Sequence, residues 1–110
     1  MKKVFISHPL SGNINGNRDK EEKICKNIIN NNDNIIPISP LHLFNFLEVE
    51  TNYREYILNI CFNLIKNSDE VWFYYYDEGN PYDILSNGQK KEYKKAIAYG
   101  IPTKFIKKEW

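Results

Sequence analysis

Between residues 52 and 67 the side chains Tyr53, Tyr56, Ile57, Ile60, Cys61, Leu64 and Ile65 recur at i, i+3, i+4, i+7, i+8, i+11 and i+12. That spacing predicts an amphipathic helix. A second helix is predicted over Asn15 to Asn30, where Ile24, Cys25, Ile28 and Ile29 follow the charged stretch Arg18 to Glu22. A third runs from Ser86 to Tyr99 and is closed by Gly100 with Pro102 just beyond, the expected stop signal. Four short apolar runs lie between these segments. Val4-Phe5-Ile6, Ile35 to Ile38, Val71 to Tyr76 and Thr103 to Ile106 are too short for helices and read as strands. The unbroken β-branched and aromatic run at Val71 suits a central strand buried on both faces. Pro37 places the second strand at an edge, or ends its pairing.

Strands and helices in alternation imply a mostly parallel sheet covered on both faces. The predicted fold is a small α/β three-layer sandwich, Rossmann-like or flavodoxin-like, with four to five strands, one domain spanning residues 1–110. Ligands in such sheets bind beyond the carboxyl ends of the strands. This brings the loop at 7–17 and the segment at 76–88 to one mouth.

Composition narrows the function. The 110 residues are 42% hydrophobic and 26% charged, with a formal net charge of +1. Such a balance excludes an electrostatically driven nucleic-acid polymer or membrane binder. No run approaches the roughly 20 apolar residues of a membrane span, and no signal peptide is evident. Cys25 and Cys61 are too few for a disulfide scaffold and read as free thiols of a cytoplasmic protein.

Two constellations carry candidate chemistry. In Ser86-Asn87-Gly88-Gln89-Lys90-Lys91-Glu92, Ser86 or Asn87 caps the helix and the first-turn N–H groups form a small anion site. Glu92, one turn after Gly88, leans back over a position with no side chain to block a ligand. The same spacing also describes a capped surface helix whose Glu92 pairs with Lys91 or Lys95. In Ser7-His8-Pro9-Leu10-Ser11-Gly12-Asn13, Ser7, Ser11 and Gly12 suit a phosphate or ribose, and His8 suits protonation of a leaving base. A tight turn with a hydrogen-bonded His8 is the alternative. The loop has neither the Walker nor the dinucleotide spacing, the His and Cys residues lack metal-ligand spacing, and there is no GxSxG elbow. No cofactor is expected. Tyr76 is a candidate for stacking on a base, and Asp69 for orienting the start of the central strand.

Taken together, the first strand with Ser7 to Gly12, the stretch Asn67-Ser68-Asp69-Glu70-Val71-Trp72 and the motif Ser86-x-Gly88-x-x-x-Glu92 with Ala96 and Gly100-Ile101-Pro102 resemble the nucleoside 2-deoxyribosyltransferase-like family, including its 2'-deoxynucleoside 5'-phosphate N-hydrolase branch. The segment Pro40-Leu41-His42-Leu43-Phe44 resembles its small members. The resemblance implies that Glu92 is the nucleophile at C1' of deoxyribose and that Ser86 and Gly88 bind a 5'-phosphate. Nucleoside-specific transferases tend to carry Asp where Ser86 stands, so the implied substrate is a monophosphate. Family sites are often completed by a neighbouring subunit, which implies a homodimer or higher homo-oligomer.

Two positions depart from the family. Its first-strand tyrosine, which orients the glutamate, is matched by Phe5, and a helical aspartate is matched by Cys61. Asp77, Glu78 and Asp83 are candidates to replace the lost acid. The expected function is cleavage or transfer of an N-glycosidic bond in a small nucleoside or nucleotide. The alternatives are a non-catalytic nucleotide-binding module and an assembly protein whose face includes Trp72, Tyr74 to Tyr76 and Trp110.

Overall fold

The computed structural model describes residues 1–10, 13–43 and 51–109, with side chains for all of these but 51, 52 and 54. Its elements run β1 (Lys2–Ser7), α1 (Ile14–Asn31), β2 (Ile35–Ile38), α2 (Pro40–Leu43), α3 (Thr51–Lys66), β3 (Glu70–Tyr75), α4 (Pro81–Ile84), α5 (Asn87–Ala98) and β4 (Thr103–Lys107). The four strands form one all-parallel sheet in the order β2-β1-β3-β4, the α/β sandwich expected, at the lower of the two strand counts.

Alternation along the strands builds a core on each face of the sheet. Phe5, Val71 and Phe73 pack with Cys61 and Ile65 of α3 and Ala96 of α5. Val4, Ile6 and Tyr74 pack with Ile24 and Ile28 of α1. β3 is therefore buried on both faces, as its unbroken apolar run predicts. Pro37 lies in β2 opposite Val4, on the sheet's outer strand, where a missing N–H costs no second ladder. Asp69 orients β3: its carboxylate accepts the Lys3 N–H at 2.7 Å and its own N–H donates to Lys3 O at 2.8 Å.

The helices depart from expectation in two places. Helices α2 and α4 have four residues each, too short for a 3.6-residue period to register, and α4 occupies part of a segment expected as loop. In α3 the apolar series is buried only at its carboxyl half, while Tyr53 and Tyr56 are exposed. Of this 16-residue helix, Cys61 and Ile65 are the buried residues of the core, with Ile57 and Leu64 packed partly against it. Helix α5 ends as its sequence predicts, with Gly100 at φ 70° and the Ile101 N–H returning to Ala96 O at 2.9 Å.

Cys25 and Cys61 are free thiols. No helix among the described residues is long and apolar enough to cross a membrane.

Candidate active site

β1 and β3 are neighbours in the sheet, yet the chain leaves β1 toward β2 on one side and β3 toward β4 on the other. Their carboxyl ends therefore form the switch point at which α/β sheets open a crevice. Ser7 ends β1, Tyr74 and Tyr75 end β3, α5 arrives from one face and α1 from the other.

Helix α5 is anchored at its first turn. Ser86 is the N-cap: its hydroxyl accepts the Gln89 N–H at 3.2 Å, while Gln89 Oε1 accepts the Ser86 N–H at 3.0 Å. This reciprocal pair is a capping box, with glutamine at the third helical position. The Gln89 Nε2 group donates to both Ser7 O at 3.1 Å and Tyr74 O at 2.9 Å. One buried amide thus joins α5 to the ends of β1 and β3. The N–H groups of Asn87 and Gly88 lie in the first turn, where no helical acceptor precedes them. Both residues are exposed, and a Cβ built on Gly88 meets nothing within 4 Å.

One turn further on, Glu92 is buried, and the Ser7 hydroxyl donates to its Oε1 at 2.8 Å. Surface pairing with Lys91 or Lys95 does not occur; Lys95 instead stands over the Phe62 and Tyr99 rings. Burial raises the Glu92 pKa to about 7, partly offset by the Ser7 hydroxyl. Phe5 is two residues before Ser7 on the same face of β1 and is itself fully buried in the apolar cluster. The hydroxyl that reaches Glu92 on this face of β1 is that of Ser7.

His8 is also buried. Its Nδ1 contacts Pro9 O at 2.7 Å and its Nε2 bonds the Tyr76 hydroxyl. A carbonyl only accepts, which places the ring proton on Nδ1 and makes Nε2 the acceptor for Tyr76. Burial drops the His8 pKa to about 4. A neutral ring with both nitrogens engaged has no proton to hand on near pH 7, against the expectation of a leaving-group acid. Tyr76 is likewise occupied, since the Lys20 ammonium stands 4.4 Å from its ring centroid. Tyr74 is buried in the α1 core and Trp72 donates to Glu70 at 3.0 Å, so this strand offers no continuous aromatic face. Ser11, Gly12, Phe44 and Trp110 lie outside the described residues.

None of the acids expected to replace the missing aspartate is buried beside Glu92. Asp77, Glu78 and Asp83 are exposed, and Glu78 pairs with Lys107. A carboxyl given no role by its spacing is present instead. Glu21, on α1, is fully buried, and neither of its oxygens has a hydrogen-bond partner. Burial raises its pKa to about 8; a nearby Ser39 hydroxyl lowers it in part and the Glu92 charge raises it further. Ser39 itself is turned toward His42 Nδ1 at 2.7 Å. Glu21 and Gln89 each sit among polar and charged residues of their helices, where hydropathy does not separate an inward polar side chain from a solvated one. Among the described residues no three His, Cys, Asp or Glu side chains are grouped to hold a metal ion.

The chain belongs to the family described as a domain of unknown function, DUF7768, whose model matches residues 2–106. Among curated proteins none matches it. Among solved structures it is similar to a 2-desoxiribosyltransferase from Leishmania mexicana, with TM-score 0.69 and 15% identity over 97% of this chain. It spans 65% of that enzyme's length. It is also similar to a 2-deoxyribosyltransferase from Bacillus psychrosaccharolyticus, with TM-score 0.63 and 15% identity over 97% of this chain and 73% of the other. The shared fold is that of the deoxyribosyltransferases.

Proposed function

We propose that this protein cleaves or transfers the N-glycosidic bond of a 2'-deoxynucleoside 5'-monophosphate or a related N-riboside, with Glu92 as nucleophile. The observation that carries this reading is Glu92 itself, a buried carboxylate aimed by the Ser7 hydroxyl beside a glycine-bearing helix start at the sheet's switch point. Glu92 attacks C1', the bond from C1' to the base breaks, and a glycosyl-enzyme ester forms; water or an acceptor base then displaces the carboxylate. The 5'-phosphate rests on the first turn of α5, held by the N–H groups of Asn87 and Gly88 and the Ser86 hydroxyl. Such local binding fits a chain of net charge +1, since it needs no basic surface. The deoxyribosyltransferase fold of both structural neighbours supports the reaction class.

The deciding assay is release of free base from a panel of 2'-deoxynucleosides and their 5'-monophosphates. Turnover is expected, with monophosphates preferred. If no member of the panel releases base, the enzymatic reading fails; a nucleotide that raises the melting temperature and is recovered intact establishes the binding module instead.

Gly88→Ala separates the phosphate site from the fold. Its Cβ enters open space and alanine is the better helix former by up to about 1 kcal/mol, so the melting temperature is expected to rise. The same methyl occupies the phosphate seat, and KM for the monophosphate is expected to rise about tenfold, or roughly 1.4 kcal/mol. A variant with unchanged KM places the phosphate elsewhere.

A further inference from the structure

Among the described residues, Glu21 is a buried carboxyl whose condition the nucleophile reading leaves unexplained. Its carboxyl is fully buried and carries no hydrogen bond on either oxygen. A buried polar group without a partner is destabilising, more so when charged, and a purely structural position on α1 is better filled by an apolar side chain such as Ile24 or Ile28 on the same helix.

Its surroundings locate it at the site. Glu92 on α5 is close enough for its charge to act on Glu21, and Glu21 in turn acts on Cys25 of α1, Cys61 of α3, Tyr74 of β3 and Tyr76 just beyond it. Residues from both faces of the sheet thus converge on the end of β3. No cation among the described residues forms a salt bridge with Glu21, whose ion pairs would otherwise explain it.

The hydrogen bonds distinguish the two carboxyls. A donated O–H favours the ionised form of the group that receives it. Glu92 accepts the Ser7 hydroxyl at 2.8 Å, whereas no described residue donates to Glu21 in hydrogen-bond geometry, the nearby Ser39 hydroxyl being turned toward His42 Nδ1. When the pair holds one proton, that proton is therefore on Glu21 and the charge on Glu92.

We propose that Glu21 is the acid that protonates the departing base while Glu92 attacks, making the two a catalytic carboxyl pair. This rests on the reading of Glu92 as nucleophile. In the first step a Glu92 oxygen bonds C1', the C1'–N electron pair leaves with the base, and the Glu21 proton joins that nitrogen. In the second step the Glu21 carboxylate takes a proton from water, the hydroxyl oxygen bonds C1', and the ester bond to Glu92 breaks. Both carboxyls return to their starting states. Glu21 thereby takes the part for which His8 has no free proton and Cys61 no acidity, the Cys61 thiol being pushed up to about 12 by burial.

The experiment compares two leaving groups. An ordinary purine 2'-deoxynucleotide needs a proton on the departing base; the N7-methylated analogue departs as a neutral base and needs none. In Glu21→Gln, release of the ordinary base is expected to fall 10²- to 10³-fold, while release of the methylated base falls less than tenfold. Glu92→Ala is expected to lose both. The alkaline limb of the rate profile, present in wild type, disappears in Glu21→Gln, and Glu21→Asp recovers part of the lost rate for the ordinary base. Equal losses for the two substrates in a Glu21→Gln protein that melts normally, or an unchanged rate for the ordinary base, overturn the role of Glu21 alone. Glu21→Asp keeps the carboxyl should glutamine disturb the fold, and an unaltered alkaline limb with no leaving-group dependence in that variant overturns the role equally. Absence of base release by wild type toward either substrate removes the nucleophile reading, and this one with it.

Discussion

Glu92→Gln is expected to reduce base release by on the order of 10³-fold or more while making the folded chain more stable above neutral pH. The opposite signs have one cause. Burial holds the Glu92 proton to about pH 7, whereas an unfolded glutamate loses it near pH 4.5. Between those values the folded state binds the extra proton, so stability falls as pH rises and is fully reduced above about 7. A shift of this size corresponds to on the order of 3 kcal/mol. Glutamine keeps the Ser7 hydrogen bond, carries no proton to titrate and has no nucleophilic carboxylate. Urea denaturation at pH 5 and pH 8 checks the result: wild type should lose more stability between them than the variant. Equal losses in both proteins would mean that Glu92 is solvated, and the site as described would not exist.

The second large effect falls on a residue that touches no substrate in the proposed reaction. Gln89→Ala removes the acceptor for the Ser86 N–H and the donors to Ser7 O and Tyr74 O, all beside a nearly sealed position. Three lost hydrogen bonds with buried partners are expected to cost about 2–4 kcal/mol, a large part of the roughly 5–15 kcal/mol available to a domain. Because Ser7 carries Glu92, kcat should also fall about tenfold, with a smaller change in KM. Gln89→Met, which keeps the volume and loses the bonds, should be destabilised nearly as much. If Gln89→Met unfolds at the same urea concentration as wild type, packing rather than hydrogen bonding holds α5 to the strand ends.

These two positions illustrate what the amino-acid order reveals and what it conceals. The 3.6-residue series over α3, the apolar run of β3 and the Gly100 stop after α5 are periodic or local signals, and each produces the element it predicts. Glu92 was legible because a glycine one turn earlier and a capping serine give a carboxylate a recognisable setting. The hydrogen bond from Ser7 to Glu92 was not, since it depends on which residues of β1 share a face with α5. Glu21 was less legible still. In the stretch Arg18 to Glu22 it is one charge among several, and only the docking of α1 against the sheet turns it inward while its neighbour Glu22 faces Lys26 across a helical turn. His8 shows the reverse case, in which a residue type suited to proton transfer lies buried with both ring nitrogens hydrogen-bonded, a setting its spacing does not announce.

The register of the sheet has a consequence for synthesis of the chain. Val4, Phe5 and Ile6 are fully buried, yet Val4 lies opposite Glu70, 66 residues later. At about 5–20 residues per second of translation, the apolar β1, once made, waits roughly 3–13 s for the neighbour that covers its inner edge. Throughout that interval the nascent protein carries an unpaired strand edge, the kind of surface on which chains associate wrongly, and its safe handling falls to the ribosome exit and to chaperones rather than to the finished fold.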